Sequence, residues 1–273
     1  MAGAVPHSSG VAPPQLAAPA NACDAHIHIL DPGATASEYR LLQARIGTTR
    51  AVIVQPKVYG TDNRCTLDAV AQLGGGARGI AVVHPEVSDA ELKRFDAGGI
   101  RGLRFSVWNP TDTVTTVAMI EPLAKRIVGL GWHVQIHMSA DQIVEHAALF
   151  DRLAAPIVFD HVGRLPPQTG LTHPAFVVIR RLLDGGRTWM KLSGAYLNTL
   201  SGPPAYADAS AIARAFAQVA PERMVWGSDW PHVTERTKPD DAVLFDLLAE
   251  WVPDPVDRRR VLVDNPAALY GFA

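Results

Sequence analysis

From residue 22 onward the chain alternates short β-branched or apolar runs with longer stretches whose apolar residues recur three or four apart. The short runs predict strands at Ala22–Ile29, Ala51–Gln55, Gly79–Val83, Gly102–Ser106, Val134–Met138, Ile157–His161, Trp189–Ser193 and Met224–Asp229. Between them the longer period predicts helices at Glu38–Ile46, Leu67–Leu73, Ala90–Phe95, Val117–Leu130, Ala140–Leu153, Pro174–Leu183, Ala207–Val219 and Asp241–Trp251. Eight strand-helix units match a closed parallel (β/α)₈ TIM barrel, whereas open doubly wound sheets usually stop at about five to seven strands. One extra C-terminal helix, Val256–Val263, is expected to end at the Asn265-Pro266 break. No repeat or linker divides the chain, so residues 21–273 read as one α/β barrel domain.

Residues 1–20, rich in Ala, Pro, Gly and Ser, read as a flexible N-terminal arm. They have neither the basic start nor the continuous apolar core of a signal peptide, and no later segment approaches a membrane span. With 25 basic and 27 acidic side chains the protein carries no electrostatic footprint for nucleic acid or an anionic membrane. Cys23 and Cys65 are too few for a disulfide framework and match no metal knuckle, which points to the reducing cytoplasm. A small molecule is therefore the expected partner, and nothing in the pattern sets an oligomeric state.

In such barrels the chemistry collects at the C-terminal ends of the strands. Strand one ends in His26 and His28, which lie two apart and so project from one face. Strand five ends in His137, strand six in Asp160 and His161, and strand eight in Asp229. Singly, each has a structural explanation as a satisfied core histidine or a helix cap. Together, reactive groups on four strand ends of one barrel face point to a reaction centre. His26, His28, His137, His161 and Asp229 also satisfy the ligand chemistry of one divalent ion, most naturally Zn²⁺. Arg104 follows strand four and Arg164 follows His161 by three residues, so both are candidates to hold a carboxylate as a fork. Further candidates around the mouth are Lys57, Tyr59, Asp62, Asn63, Trp108, Asn109, Lys191, Tyr196 and His232.

The segments Cys23-Asp-Ala-His-Ile-His, Gly99-Ile-Arg-Gly-Leu-Arg-Phe, Gln135-Ile-His, Phe159-Asp-His-Val-Gly-Arg, Lys191-Leu-Ser-Gly and Val225-Trp-Gly-Ser-Asp-Trp-Pro-His carry a resemblance. From residue 22 to 272 the chain resembles the amidohydrolase superfamily, in its amidohydrolase-2 branch. Within that branch it is most similar to 2-pyrone-4,6-dicarboxylate hydrolases and to sugar-acid lactone hydrolases and isomerases. The resemblance implies hydrolytic opening of a small carboxylated lactone, with His26, His28, His161 and Asp229 lining the reaction centre. On that reading Asp229 is the general base and the three imidazoles polarise the carbonyl. Tyr59, Asn63, Lys191, Tyr196 and His232 join Arg104 and Arg164 as substrate-binding candidates.

The resemblance also implies that no metal is required, because lactonases of this kind work without one on the same scaffold. One Zn²⁺ or another divalent ion is the alternative, and His137 keeps it open. Strand four offers Arg104-Phe-Ser and no Lys to bridge two metals. The pyrone hydrolases are expected to carry another Arg a few residues after Arg104, where this chain reads Ser106-Val-Trp-Asn-Pro. That departure weakens a dicarboxylate substrate and leaves Trp108 and Asn109 to meet a ring and its hydroxyls. A lactone isomerase would use the same residues, a decarboxylase would need the metal, and a non-catalytic ligand-binding barrel would leave the cluster without a task.

Overall fold

The computed structural model describes residues 4–109 and 111–273; the first three residues of the expected arm, and Pro110, lie outside them. Strands β1 (Cys23–Ile27), β2 (Arg50–Val54), β3 (Ala77–Ala81), β4 (Ile100–Ser106), β5 (His133–His137), β6 (Ile157–Phe159), β7 (Thr188–Leu192) and β8 (Met224–Trp226) pair in parallel, in chain order. The barrel closes through Ile27 and Trp230, which form a parallel bridge. Asp229 N donates to His26 O and His28 N to Trp230 O, each at 2.8 Å. Strands β6 and β8 are shorter than the apolar pattern predicts, so Asp160, His161 and Asp229 sit on the loops just beyond them.

Alternate strand positions face inward, as the two-residue period requires. Cys23, Ala25, Val52, Val54, Ile80, Val158, Trp189 and Val225 fill the lower barrel, which Tyr270 and Phe272 close. Lys191 stands two residues beyond Trp189 on the same face, where apolar filling gives way to a polar floor. Ile53, Leu103, Phe105, Ile136, Leu192 and Trp226 face outward against the helices.

The helices are α1 (Ala36–Ile46), α2 (Arg64–Leu73), α3 (Asp89–Ala97), α4 (Ile120–Ile127), α5 (Ala140–Glu145), α6 (Ala147–Arg152), α7 (Pro174–Asp184), α8 (Ala207–Val219), α9 (Asp241–Trp251), α10 (Pro255–Arg259) and α11 (Asn265–Tyr270). Capping boxes at Thr35 and Ser139 start α1 and α5. The single helix expected over Ala140–Leu153 is two, because His146, at φ −101° and ψ 18°, leaves the helical region between them. The final helix does not break at Pro266. The chain widens into a π-turn over Arg260–Asp264, Asn265 N donates to Arg260 O, and Pro266 starts α11, where its missing N–H leaves no bond unmade.

The stretch expected to be an arm lies against the barrel. Val5 is buried, Trp230 Nε1 donates to Pro6 O at 2.8 Å, and Ser9 N donates to Pro239 O at 2.9 Å. Arg45 donates to Ala12 O, and Asp246 accepts from Gln15 N and Leu16 N. Distant side chains thus hold a segment that has no periodicity of its own. Among the described residues no helix is long and apolar enough to cross a membrane.

Candidate active site

The backbone bonds that close the barrel also assemble the site. They set β1 beside the end of β8, so His26 and His28 meet Asp229 across the seam. The register between β1 and β2 shifts between Asp24 and Ile27. Asp24 therefore turns away from the two histidines and accepts from Ser228 N, Ser228 Oγ and Tyr39 Oη, tying the end of β8 to α1. A Cβ on Gly227 would fall 2.7 Å from His26 Cβ and 2.8 Å from His26 N. Gly227→Ala is expected to push the seam apart, lowering stability by about 1–3 kcal/mol and kcat with it. An unchanged melting temperature would contradict this.

Left-handed backbone aims the loop residues. His161, Val162 and Arg164 have φ of 48°, 48° and 51°, and Asp229 has 66°. A β-branched residue such as Val162 adopts this region only under strain, and such strain gathers where side-chain direction matters. Above the seam opens a cavity of about 1050 Å³, lined by His28, Lys57, Tyr59, Arg104, Trp108, Asn109, His137, His161, Arg164 and Asp229 among the sequence candidates.

The floor is a buried charge network. Asp160 accepts from Arg104 Nε (3.3 Å) and Gln135 Nε2 (3.1 Å), and it lies 3.3 Å from His26 Nδ1 and 3.8 Å from Lys191 Nζ. Burial opposes its charge, but His26, Lys191 and Arg104 outweigh burial and hold it well below the usual carboxylate range. Burial lowers Lys191 to about 8, against the pull of Asp160. Burial and the Lys191 charge hold His26 well below the usual range, so its ring is neutral. Burial opposes the charge of Asp229 too, but its contacts with His161, His28 and His26 hold it well below the usual carboxylate range. Burial also lowers His161 to about 4, leaving that ring neutral with its Nδ1 2.9 Å from Ser193 Oγ.

Three acceptor-capable atoms converge at the seam. His26 Nε2 lies 3.3 Å from His28 Nε2, and each lies 3.5 Å from Asp229 Oδ1. Ligand atoms about 2.1 Å from a tetrahedral ion stand about 3.4 Å apart, so this trio fits a divalent metal. His28 Nδ1 donates to Val54 O at 2.8 Å, which leaves its Nε2 as a lone pair. His26 Nδ1 faces an acceptor, Asp160, and also a donor, Lys191 Nζ at 3.4 Å. With the proton on Nδ1, His26 offers the trio a second lone pair. With it on Nε2, His26 donates toward His28 and Asp229 and the cluster is satisfied without an ion. A second group, His26, Asp160 and His161, also has ligand spacing, while His137 belongs to neither. The five-residue ligand set that the sequence suggests is therefore not gathered: His137 Nδ1 bonds Ser106 Oγ at 3.0 Å, and Asp160 takes the place expected of it.

Arg164 lines the cavity. Its guanidinium lies 4.8 Å over the Trp108 ring, and its Nε and Nη1 are buried with no hydrogen-bond partner among the described residues. His137, its ring near-parallel to Trp108 with centroids 6.2 Å apart, also leaves Nε2 without a partner among the described residues. Arg104 makes one bond within the described residues, from Nε to Asp160, and otherwise faces the cavity.

Several sequence candidates are engaged by other protein groups, whether or not they line the cavity. Asn63 donates to Val82 O and accepts from Val82 N, so both ends of its amide are engaged beneath the cavity. Lys191 is fully buried and donates to Ala25 O and Gln135 Oε1. Lys57 pairs with Asp112, and Asp62 pairs with Arg64 at the surface. Tyr59 lines the cavity while its hydroxyl accepts from Asp31 N. Tyr196 and His232 lie behind Asp229, not in the cavity wall: Tyr196 Oη donates to Asp229 Oδ2 at 2.7 Å and meets His232 Nδ1 at 2.9 Å. Burial and the Asp229 charge push the Tyr196 hydroxyl well above its ordinary range, so it keeps its proton. His7, Asp31, Glu235 and Lys238 line the cavity without having been expected. They sit on the arm and on loops, away from the ends of the apolar runs that marked the other candidates.

The fold and site define a barrel with a cavity lined by polar groups at the strand ends. Residues 21–272 match the family profile described as amidohydrolase, and the chain belongs to that family. It is 34% identical to 4-sulfomuconolactone hydrolase from Rhizobium radiobacter, over 95% of this chain and 93% of that one. It is 33% identical to 2-pyrone-4,6-dicarboxylate hydrolase from Comamonas testosteroni, over 94% and 92%. To D-galactarolactone isomerase from Agrobacterium fabrum it is 30% identical, over 96% and 94%. An apo crystal structure from Agrobacterium tumefaciens superposes with a TM-score of 0.89 at 28% identity, covering 98% of this chain and 99% of that one. A probable 2-pyrone-4,6-dicarboxylic acid hydrolase from Acinetobacter baumannii, with citric acid bound, gives 0.80 at 25% identity, over 92% and 100%.

Proposed function

We propose that the protein is a lactone hydrolase acting on a small anionic lactone. The observation that carries this reading is half-buried Arg164, whose Nε and Nη1 are buried with no partner among the described residues, lining the same cavity as ionised Asp229 and neutral His161. A buried cation without a partner is costly until an anion binds it, so the substrate brings a carboxylate or sulfonate. Three kinds of relative, two lactone hydrolases and a lactone isomerase, support ring chemistry at that site.

The reaction needs a nucleophilic water and a stabilised carbonyl oxygen. Asp229 Oδ1 takes a proton from water as the water oxygen bonds to the carbonyl carbon. Ser193 can donate to His161 Nδ1, which leaves Nε2–H to polarise the carbonyl oxygen, and Arg104 adds positive potential. When the tetrahedral species collapses, the bond from acyl carbon to ring oxygen breaks and Asp229 returns the proton to that oxygen. His26, with its proton on Nε2, donates toward Asp229 and not to substrate, while His28 is held by Val54 O through Nδ1.

A metal is not required on this reading. Lys191, Arg104 and Arg164 already set three cations against the two carboxylates Asp160 and Asp229, and a divalent ion would add to that excess. If an ion binds, His26, His28 and Asp229 hold it, and it supplies Lewis acidity and a more acidic water. The wild-type enzyme is expected to hold well under one equivalent of divalent metal by elemental analysis and to keep its rate after prolonged chelation. Stoichiometric metal with chelator-sensitive turnover would overturn this.

A second reading is a lactone isomerase, in which a substrate hydroxyl replaces water; the relative from Agrobacterium fabrum favours it. A panel of carboxylated pyrones, a sulfonated muconolactone and aldarolactones, with products identified by NMR, separates the two. Ring-opened acid is expected, and an isomeric lactone as sole product would select the second reading.

A further inference from the structure

Behind Asp229 a line of buried polar groups leads away from the cavity. Tyr196 Oη donates to Asp229 Oδ2 at 2.7 Å, and the same oxygen lies 2.9 Å from His232 Nδ1. His232 Nε2 lies 3.1 and 3.2 Å from the two carboxylate oxygens of Asp241, at the start of α9. His232 and Asp241 are fully buried, and neither lines the cavity. Three separate elements supply these groups: the turn after β7, the loop after β8, and α9. Of these four groups, only Asp229 takes part in the proposed hydrolysis.

Proton counting leaves little freedom in this line. Asp229 as a carboxylate only accepts, so the single Tyr196 proton points at it. The Tyr196 oxygen can then only accept from the other side, which requires a proton on His232 Nδ1. His232 Nε2 faces a carboxylate at 3.1 Å, so a proton lies between those two atoms as well. The His232–Asp241 pair is therefore neutral overall wherever that last proton sits, and every contact has one donor and one acceptor. Asp241 thus does for His232 what the buried aspartate of a hydrolytic triad does for its histidine: it orients the ring and offsets the charge of a ring protonated on both nitrogens.

The terminal torsion of an aspartate is broad and roughly two-fold, so an unheld carboxylate exchanges its oxygens. Holding Oδ2 from behind leaves Oδ1, the atom beside His26 and His28, to face the reaction. We propose that Tyr196, His232 and Asp241 are a positioning chain that locks the carboxylate of Asp229 and assigns Oδ1 as the proton-accepting oxygen. This rests on the reading of Asp229 as the base, and it makes the three residues positioning groups, not catalytic ones.

The test is a mutant cycle on kcat. Tyr196→Phe and His232→Leu are each expected to lower kcat by about tenfold, as loss of one charge-assisted hydrogen bond would, with KM within about twofold. The double variant should be no slower than Tyr196→Phe alone, because His232 acts only through the Tyr196 hydroxyl. His232→Asn, whose amide N–H can reach where Nδ1–H lies, should recover most of the rate. Tyr196→Phe nearly keeps the native volume and His232→Asn keeps a donor toward Tyr196, so both remain informative if His232→Leu fails to fold. Additive losses in the double variant, a wild-type rate in His232→Leu, a loss confined to KM, or His232→Asn no better than His232→Leu would overturn the chain. Asp229→Asn serves as the reference: if it is inactive while the losses add, only the chain falls, and if it turns over, the base assignment falls and takes the chain with it.

Discussion

Asp229→Asn is expected to leave the fold intact and to lower kcat by at least about 10²-fold. The amide is nearly isosteric, and the backbone bond from Asp229 N to His26 O that closes the barrel is untouched. What changes is the chemistry of Oδ1 and Oδ2. An amide cannot take a proton from water, and the loss should appear in kcat because the group acts only as the transition state forms. KM should move little, since substrate affinity is assigned to Arg164 and its neighbours across the cavity. Circular dichroism and melting temperature check the fold, and initial rates on an acidic lactone check the chemistry. Retention of a tenth of the wild-type rate would remove Asp229 from the role of base.

Arg164→Met is expected to act on binding. The Met stem keeps much of the packing against Trp108, 4.8 Å from the guanidinium, while removing the charge. Nε and Nη1 have no partner among the described residues, so the variant leaves no protein group newly stranded. The lost term is then a charge-assisted contact to the substrate anion, about 1.5–3 kcal/mol, or roughly 10- to 150-fold in KM. A neutral analogue of the same lactone should be affected far less. Equal effects on acidic and neutral substrates would make Arg164 structural.

The barrel was legible because the β-branched runs recur once per unit and their ends carry His and Asp. His28, His137, His161, Asp229, Arg104 and Arg164 all reach one cavity, as strand-end logic requires. Legibility fell where a side chain's partner is remote in sequence. Asn63 reads as a mouth residue until Val82, nineteen positions on, engages its amide. His232 likewise reads as a ligand-facing histidine until α9 brings Asp241 against it. Asp160 reads as a helix cap, yet Arg104, Gln135 and His26 converge on it from three other strands. The arm had no signal at all, because proline- and alanine-rich chain docks through backbone groups that every sequence possesses.

The most direct measurement is NMR and mass spectrometry of turnover in ¹⁸O-enriched water, comparing a carboxylated or sulfonated lactone with its neutral analogue. The anionic lactone is expected to open with one ¹⁸O in the new carboxylate, in a reaction that Asp229→Asn abolishes, and the neutral analogue to react far more slowly. Failure to open any anionic lactone, or opening of neutral and anionic rings at the same rate, would contradict this.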